Sequence, residues 1–511
     1  MKKTYLYATL CVWAGVLFAC TEQNKDFGNG GNTGNTTISD STYANAGDFV
    51  ENWDAYAAGE MRMVQLAWTE GAVSIDGSYD GVSITTDGTD VTIVSTTKKM
   101  QYVLSGSCSD GSLKIYSDNK FVLQLNGLTL TNPTGPAINI QKGKTAEADG
   151  GYPHKSVYVV VSDGTTNTLA DGSGYAQSVT IDGTAEDQKA CFFSEGQLLF
   201  SGAGTLNVTG NNRHAIRSDD YIRLRGSVVM NITANGEDAI NGNDYLILDG
   251  GTYTLSVAAA KGKGLKADTI LIAGGETHIT CTSSSAEGIE ADYLTINDGL
   301  IECLAQDDGI NADKSIVING GYIYTRGTNN DGLDSNGTIT INGGVIVAVG
   351  TRTPEEGIDC DQNTFTITGG TILGIGGASS TPTAGVCTQP SLLYGGSCTA
   401  NTRISLIDGD GNIVLSYVPE AALSQMTLLL SSPALTTGKT YTLVSGGTYT
   451  AGEGISFHGL SDNGTLASPA TLTTATLSSM VTTAGNASTG GGPGGGGNPG
   501  GNPGGGRPGG R

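Results

Sequence analysis

Residues 308–321 read DGINADKSIVINGG. An acid and a glycine precede one aliphatic residue, Ile310. A polar stretch follows, then Ile316 and Ile318 two apart, then Gly320-Gly321. Apolar residues two apart share one face of a strand, and paired glycines mark a turn. The pattern recurs on both sides: HAIRSDDYIRLRG (214–226), DAINGNDYLILDGG (238–251), KGLKADTILIAGG (263–275), EGIEADYLTINDG (287–299), DGLDSNGTITINGG (331–344) and EGIDCDQNTFTITGG (356–370). The small residue before the Ile or Leu falls at Ala215, Ala239, Gly264, Gly288, Gly309, Gly332 and Gly357, in steps of 24, 25, 24, 21, 23 and 25. ACFFSEGQLLFSG (190–202) places Cys191 in the same column 24 residues earlier.

A unit of about 23 residues cannot close its own core, so successive units must stack. Short strands joined by sharp turns at this period predict an all-β chain: a right-handed parallel β-helix of about 21–25 residues per coil. The Leu-x-x-Leu-x-Leu signature of leucine-rich repeats is missing, and propeller blades need about 40 or more residues. Less regular coils are read at 121–132, 136–143 and 156–172. The opening segment, 48–68, is the least repetitive and is expected to shield the first coil's edge.

The composition agrees. Gly is 79 of 511 residues and charged residues are only 15%, which excludes coiled coils and helical bundles. No G-X-Y period runs through the chain, so collagen is excluded. Net charge is −23, and −25 once residues 1–19, with Lys2 and Lys3 and no acids, are removed. Such a surface makes nucleic acid a poor partner.

MKK followed by an apolar run ending at Leu17-Phe18-Ala19-Cys20 fits a lipoprotein signal over 1–19. The fit to a bacterial lipobox implies cleavage before Cys20 and its lipidation. Residues 20–46 then read as a flexible tether, 47–385 as the β-helix, 386–484 as a small C-terminal β-rich unit over the helix edge, and 485–511 as a disordered Gly/Pro-rich tail. The expected location is the cell envelope, on the outer membrane and facing outward, with the membrane met through the lipid alone. Cys11 leaves with the signal and Cys20 is lipidated, leaving seven of the nine cysteines, without metal spacing. Cys281 with Cys303, and Cys387 with Cys398, are possible pairs.

Equivalent positions of stacked coils lie about 4.8 Å apart, so columns can be read down the repeat. The position before the small residue runs Asp238, Lys263, Glu287, Asp308, Asp331, Glu356. The position after the aliphatic residue runs Arg217, Asn241, Lys266, Glu290, Asn311, Asp334, Asp359. Stacked carboxylates at this spacing repel by ~0.8 kcal/mol per pair even in bulk water. A cation would offset that, and oxygen-only donors in irregular geometry suit Ca²⁺. The candidate ligands are Glu287, Glu290, Asp308, Asn311, Asp331, Asp334, Glu356 and Asp359; a plain solvated acidic face is the alternative. A third column (Asp219, Asn243, Asp268, Asp292, Asp313, Asn336, Asp361) reads as turn caps.

Lys261, Lys263, Lys266, Arg213 and Arg217 precede the acidic stretch. They are the candidate substrate-binding residues for a linear sugar acid lying along the solenoid. Alternatively the lysines simply neutralise Glu287 and Glu290. No HExxH, GxSxG or phosphate loop is present. A two-carboxylate glycosidase would have Asp307-Asp308 as first suspects.

Residues 102–141 and 162–172, taken with the repeats, resemble the bacterial carbohydrate-binding β-helix family of cell-surface proteins related to clostridial polygalacturonate binders. The resemblance covers about residues 70–450. It implies a right-handed parallel β-helix, bound calcium and binding of acidic plant polysaccharide such as pectin. The fold is similar to polysaccharide lyase family 9, whose Asp-Asp-Gly calcium motif is matched by Asp307-Asp308-Gly309. A lyase of that kind would use Lys263 or Lys266 as base. The expected function is therefore non-catalytic, calcium-dependent binding of acidic polysaccharide at the cell surface. The alternatives are a calcium-dependent uronate lyase acting by β-elimination and an adhesin or structural surface protein.

Overall fold

A computed structural model describes residues 61–145, 157–181 and 183–489. The signal, Cys20, the tether and most of the expected tail lie outside these. Among the described residues every regular element is a strand, and no helix is long and apolar enough to cross a membrane. The strands form a parallel β-helix of about 11 turns.

Three parallel ladders build it. The first runs from Arg62–Thr69 to Phe365–Ile367. The second starts in Phe121–Asn132 and ends at Thr371–Gly376. The third runs from Asp90–Ser95 to Ile358–Asp359. In the third ladder Ile216, Ile240, Leu265, Ile289, Ile310, Leu333 and Ile358 stand opposite one another. All seven are fully buried, at about 1.5–3 kcal/mol of transfer free energy each.

Two glycine columns permit the coiling, for different reasons. Gly251, Gly275, Gly299, Gly321, Gly344 and Gly370 close one turn with φ between 89° and 111°, backbone that side chains resist. Gly288 faces a steric demand instead. A Cβ there would lie 1.7 Å from Cys303 Sγ and 2.4 Å from Gly309 O. At the same turn as the positive-φ glycines an amide ladder forms: Asn342 Nδ2 donates to Asn319 Oδ1, and Asn319 Nδ2 to Asn297 Oδ1, both at 2.8 Å.

The cysteine pairs are not formed. All seven described cysteines are free thiols. Cys303 stands opposite Ile279 rather than Cys281, because the pairing of these coils is offset from a simple repeat count. Cys281 and Cys303 instead donate to the backbone oxygens of Glu287 (3.1 Å) and Gly309 (3.0 Å).

The first coil's edge is met by Ala72–Asp76, antiparallel to Arg62–Thr69. At the other end Leu423–Ser431 pairs antiparallel with Thr371–Gly376, and Ser391–Cys398 and Val481–Gly485 extend that sheet. A separate six-stranded antiparallel sheet contains Ile404–Ile407, Ile413–Tyr417 and Thr440–Ser445. Its Leu406, Leu415 and Leu443 share a second core with Tyr324, Val347 and Leu373 on the outer face of the last coils. The C-terminal strands thus cover a flank as well as an edge. Residues 485–489, counted with the tail in the sequence, are paired: Asn486 N–H donates to Gly395 O and Ser488 N–H to Thr427 Oγ1.

One segment breaks the repeat. Residues 172–181 and 183–189, between Thr166–Asp171 and Ala190–Ser194, carry a small antiparallel bridge, Val179 to Ala185. They lie over the outer face of the third ladder. Glu186, its side chain fully buried, holds them there: it pairs with Lys114 at 2.6 Å and accepts from Tyr116 Oη and Ser178 Oγ, each at 2.5 Å. Asn139 and Gln141 donate to Asp187 O.

Candidate functional site

The third ladder brings Arg217, Asn241, Lys266, Glu290, Asn311, Asp334 and Asp359 into strict register. The neighbouring column is stacked too. Lys263 stands opposite Glu287. Backbone bonds then link the turns carrying Asp308, Asp331 and Glu356, as Gly288, Gly309 and Gly332 each donate to the next of these carbonyls. Side chains reinforce this ladder. Asp308 Oδ1 accepts the Asp331 N–H at 3.0 Å, Asp331 Oδ1 accepts the Glu356 N–H, and Asp238 Oδ1 accepts the Lys263 N–H at 2.9 Å.

The basic residues are mostly engaged. Lys263 is buried between Glu287 at 2.5 Å and Glu290 at 2.6 Å, and Lys266 reaches Glu290 at 2.5 Å. Burial alone would lower the Lys263 pKa, but the Coulomb field and hydrogen bonds of Glu287 and Glu290 outweigh it and hold the ammonium above its usual value. Glu290 likewise titrates below the usual range, because the two lysines overcome its burial. Arg217 donates to Asp219, Asn241 and Asn243. Arg213 is exposed and meets Glu237 at 2.9 Å. Lys261 is exposed, in a turn with φ 64°.

The acidic residues of the two columns beyond Glu290 have no lysine or arginine partner among the described residues. Asp308, Asp331 and Asp334 each offer an oxygen within 4.8 Å of the others. Burial, and then the neighbouring carboxylates, push Asp308 up to about 8, Asp331 to about 9 and Asp334 to about 8. Glu356, beside them, rises to about 8 by burial and by Asp359. Asn311 Nδ2 leans on Asp308 Oδ2 at 3.4 Å, while Asn311 Oδ1 is buried without a hydrogen-bond partner, as is Glu356 Oε2. Crowded carboxylates with orphaned buried oxygens are a cation's donor set, and oxygen alone suits a hard one. Asp308, Asp331 and Asp334 would hold it, with Asn311 Oδ1 at hand. Asp359, though in register, is partnered by the Asp361 N–H and the Ser380 hydroxyl. Glu290 belongs to the lysines, whereas Glu287 meets Lys263 through Oε1 while its Oε2 is buried without a hydrogen-bond partner and burial raises its pKa. The eight acid and amide candidates thus separate into a paired group and an uncompensated one.

Two features were not anticipated. His214 occupies the first column one coil before Asp238 and lies 2.9 Å from Glu237 and 3.2 Å from Asp238. Against its burial, these carboxylates raise its pKa. Its place in the repeat was the signal that could have found it. The second is a cleft of about 900 Å³ between residues 175–189 and the coils at Asn212, Arg213, His214, Arg217 and Glu237. No periodic signal marks it.

A family model described as carbohydrate-binding domain-containing protein matches residues 87–349. A solved structure, the polysaccharide lyase-like protein from C. thermocellum in a gadolinium derivative, superimposes with a TM-score of 0.36 at 18% identity, covering 58% of this chain and 99% of that one. No curated protein matches the chain.

Proposed function

Because the chain belongs to the carbohydrate-binding domain-containing family, we propose that it is a surface lipoprotein that binds acidic polysaccharide of the polygalacturonate kind, with calcium and without catalysis. The observation that carries this reading is the in-register row. It passes from hydrogen-bond donors at Arg217, Asn241 and Lys266, through Glu290, to oxygen donors at Asn311 and Asp334 over six successive coils. A linear uronate chain along it would meet donors at one end and metal-bound carboxylates at the other. The cation would neutralise Asp308, Asp331 and Asp334 and give a sugar carboxylate a positive partner.

Binding is favoured over elimination by the state of Lys263. A base that removes a proton must first be uncharged, and Lys263 is held charged between two glutamates. Anchoring rests on Cys20, outside the described residues; incorporation of labelled fatty acid that disappears in Cys20→Ala would establish it. Affinity electrophoresis through polygalacturonate, with Ca²⁺ or with EDTA, tests the binding. Retardation in calcium that chelation abolishes is expected; equal mobility in every gel refutes the proposal. Ultraviolet absorbance of unsaturated product, followed over hours with Ca²⁺, should stay flat.

A further inference from the structure

We propose that the cleft beneath residues 172–189 binds the terminal residue of an acidic oligosaccharide, so that the protein reads chain ends; this rests on the binding reading above and adds where the ligand stops. The argument begins with the row itself. Beyond Arg217 its register continues through Phe193, Asn139 and Lys114. All three positions are covered. Lys114 bonds Ser178 and Glu186, Asn139 bonds Asp187 O, and Phe193 is buried with the Lys189 ammonium 5.6 Å from its ring centre. A chain laid along the coils from Asp334 therefore runs into residues 172–189 and ends at Arg217.

The cleft sits at that stop. Its volume, about 900 Å³, lies within the range of small-molecule sites. Gln177, Gln188 and Asn212 line it with amides and Tyr175 adds an aromatic wall, the mixture that suits a sugar's hydroxyls and its apolar face. Most of the lining charge is spent internally: Glu186 on Lys114, Asp187 on Lys189, and Glu237 on Arg213 and His214. Arg213 is different. Its guanidinium gives Glu237 one bond, from Nη1, and its side chain is 55% exposed. A guanidinium has five N–H donors in a fork matched to a carboxylate. A terminal sugar acid is the ligand class those donors fit.

Two measurements test this. The first titrates the full chain in Ca²⁺ against equal masses of polygalacturonate cut to different mean lengths. Bound protein per gram should rise in proportion to the number of chain ends. The second measures calorimetric affinity for trigalacturonate in the wild type, Arg213→Ala and Gln177→Ala, with thermal melts to show that the exposed substitutions leave the fold intact. Arg213→Ala should lose about tenfold in affinity. Capacity per gram that ignores chain length, with polymer still retained, would overturn end recognition and leave the binding reading standing. Loss of all uronate binding in the wild type would remove both. Variants that bind the trisaccharide as the wild type does would remove the cleft from the site.

Discussion

Asp308, Asp331 and Asp334 are individually ordinary aspartates made unusual by neighbours that the coil brings beside them. Their protonated forms fit the metal-free fold, since their pKa values rise to about 8, 9 and 8 from an unfolded value near 4. A raised carboxylate pKa favours the fold at low pH, and that contribution is lost as pH climbs through the folded value. The metal-free protein should therefore melt at a lower temperature at pH 9 than at pH 5, and Ca²⁺ should remove most of the difference; scanning calorimetry with and without EDTA checks both. Asp331→Asn should raise the metal-free melting temperature at pH 9 and abolish the gain from calcium. Lys263 has the opposite role. Lys263→Met leaves the buried Glu287 without its lysine beside Glu290, which keeps Lys266, and should cost ~3 kcal/mol, as breaking a buried ion pair does, measured by urea unfolding. The identities in these columns were legible from spacing alone. The division between lysine-bound and uncompensated acids was not, because it depends on how far a flexible side chain reaches, which spacing does not encode.

At the level of the coil, one small residue and one aliphatic residue do most of the specifying. The aliphatic column was readable because each step returns an Ile or Leu to the same position, and the strands place all seven in one stack. Ile289→Ala should cost about 2–5 kcal/mol, the range for a truncated buried aliphatic. Gly288→Ala should be destabilising by about 1–3 kcal/mol despite adding only a methyl, because Cys303 Sγ and Gly309 O occupy its space. Melting temperatures of the two variants test both figures. Cysteine pairing was misjudged at this scale. A column of repeats gives the order of coils, whereas the partner of a given residue is set strand by strand, and here Ile279, two residues before Cys281, meets Cys303. Residues 172–189 were unreadable for a related reason: their position is fixed by the contacts of Glu186 with Lys114 and Tyr116, about 70 residues away in sequence.

Over the whole described chain, the switch from alternating to continuous apolar strands marks where the solenoid acquires an outer cover. Thr252–Val257 alternates buried and accessible residues, while Val345–Val349 and Thr371–Gly376 are buried on nearly every residue. Strands buried on both faces read as unbroken apolar runs. That signal was present in GGVIVAVG but is also what an isolated hydrophobic coil would show. Truncation after residue 385 should expose Tyr324, Val347 and Leu373 and give a protein that self-associates, seen as a shift in light scattering, while the full chain stays discrete. The reversed direction of Leu423–Ser431 against Thr371–Gly376 carries a last implication. A parallel stack would otherwise present its final strand as a template for another like it, and identical molecules could propagate end to end. By turning the chain around at that boundary the protein fixes its own length, and a molecule of fixed length can act as a gauge for whatever polymer is laid beside it.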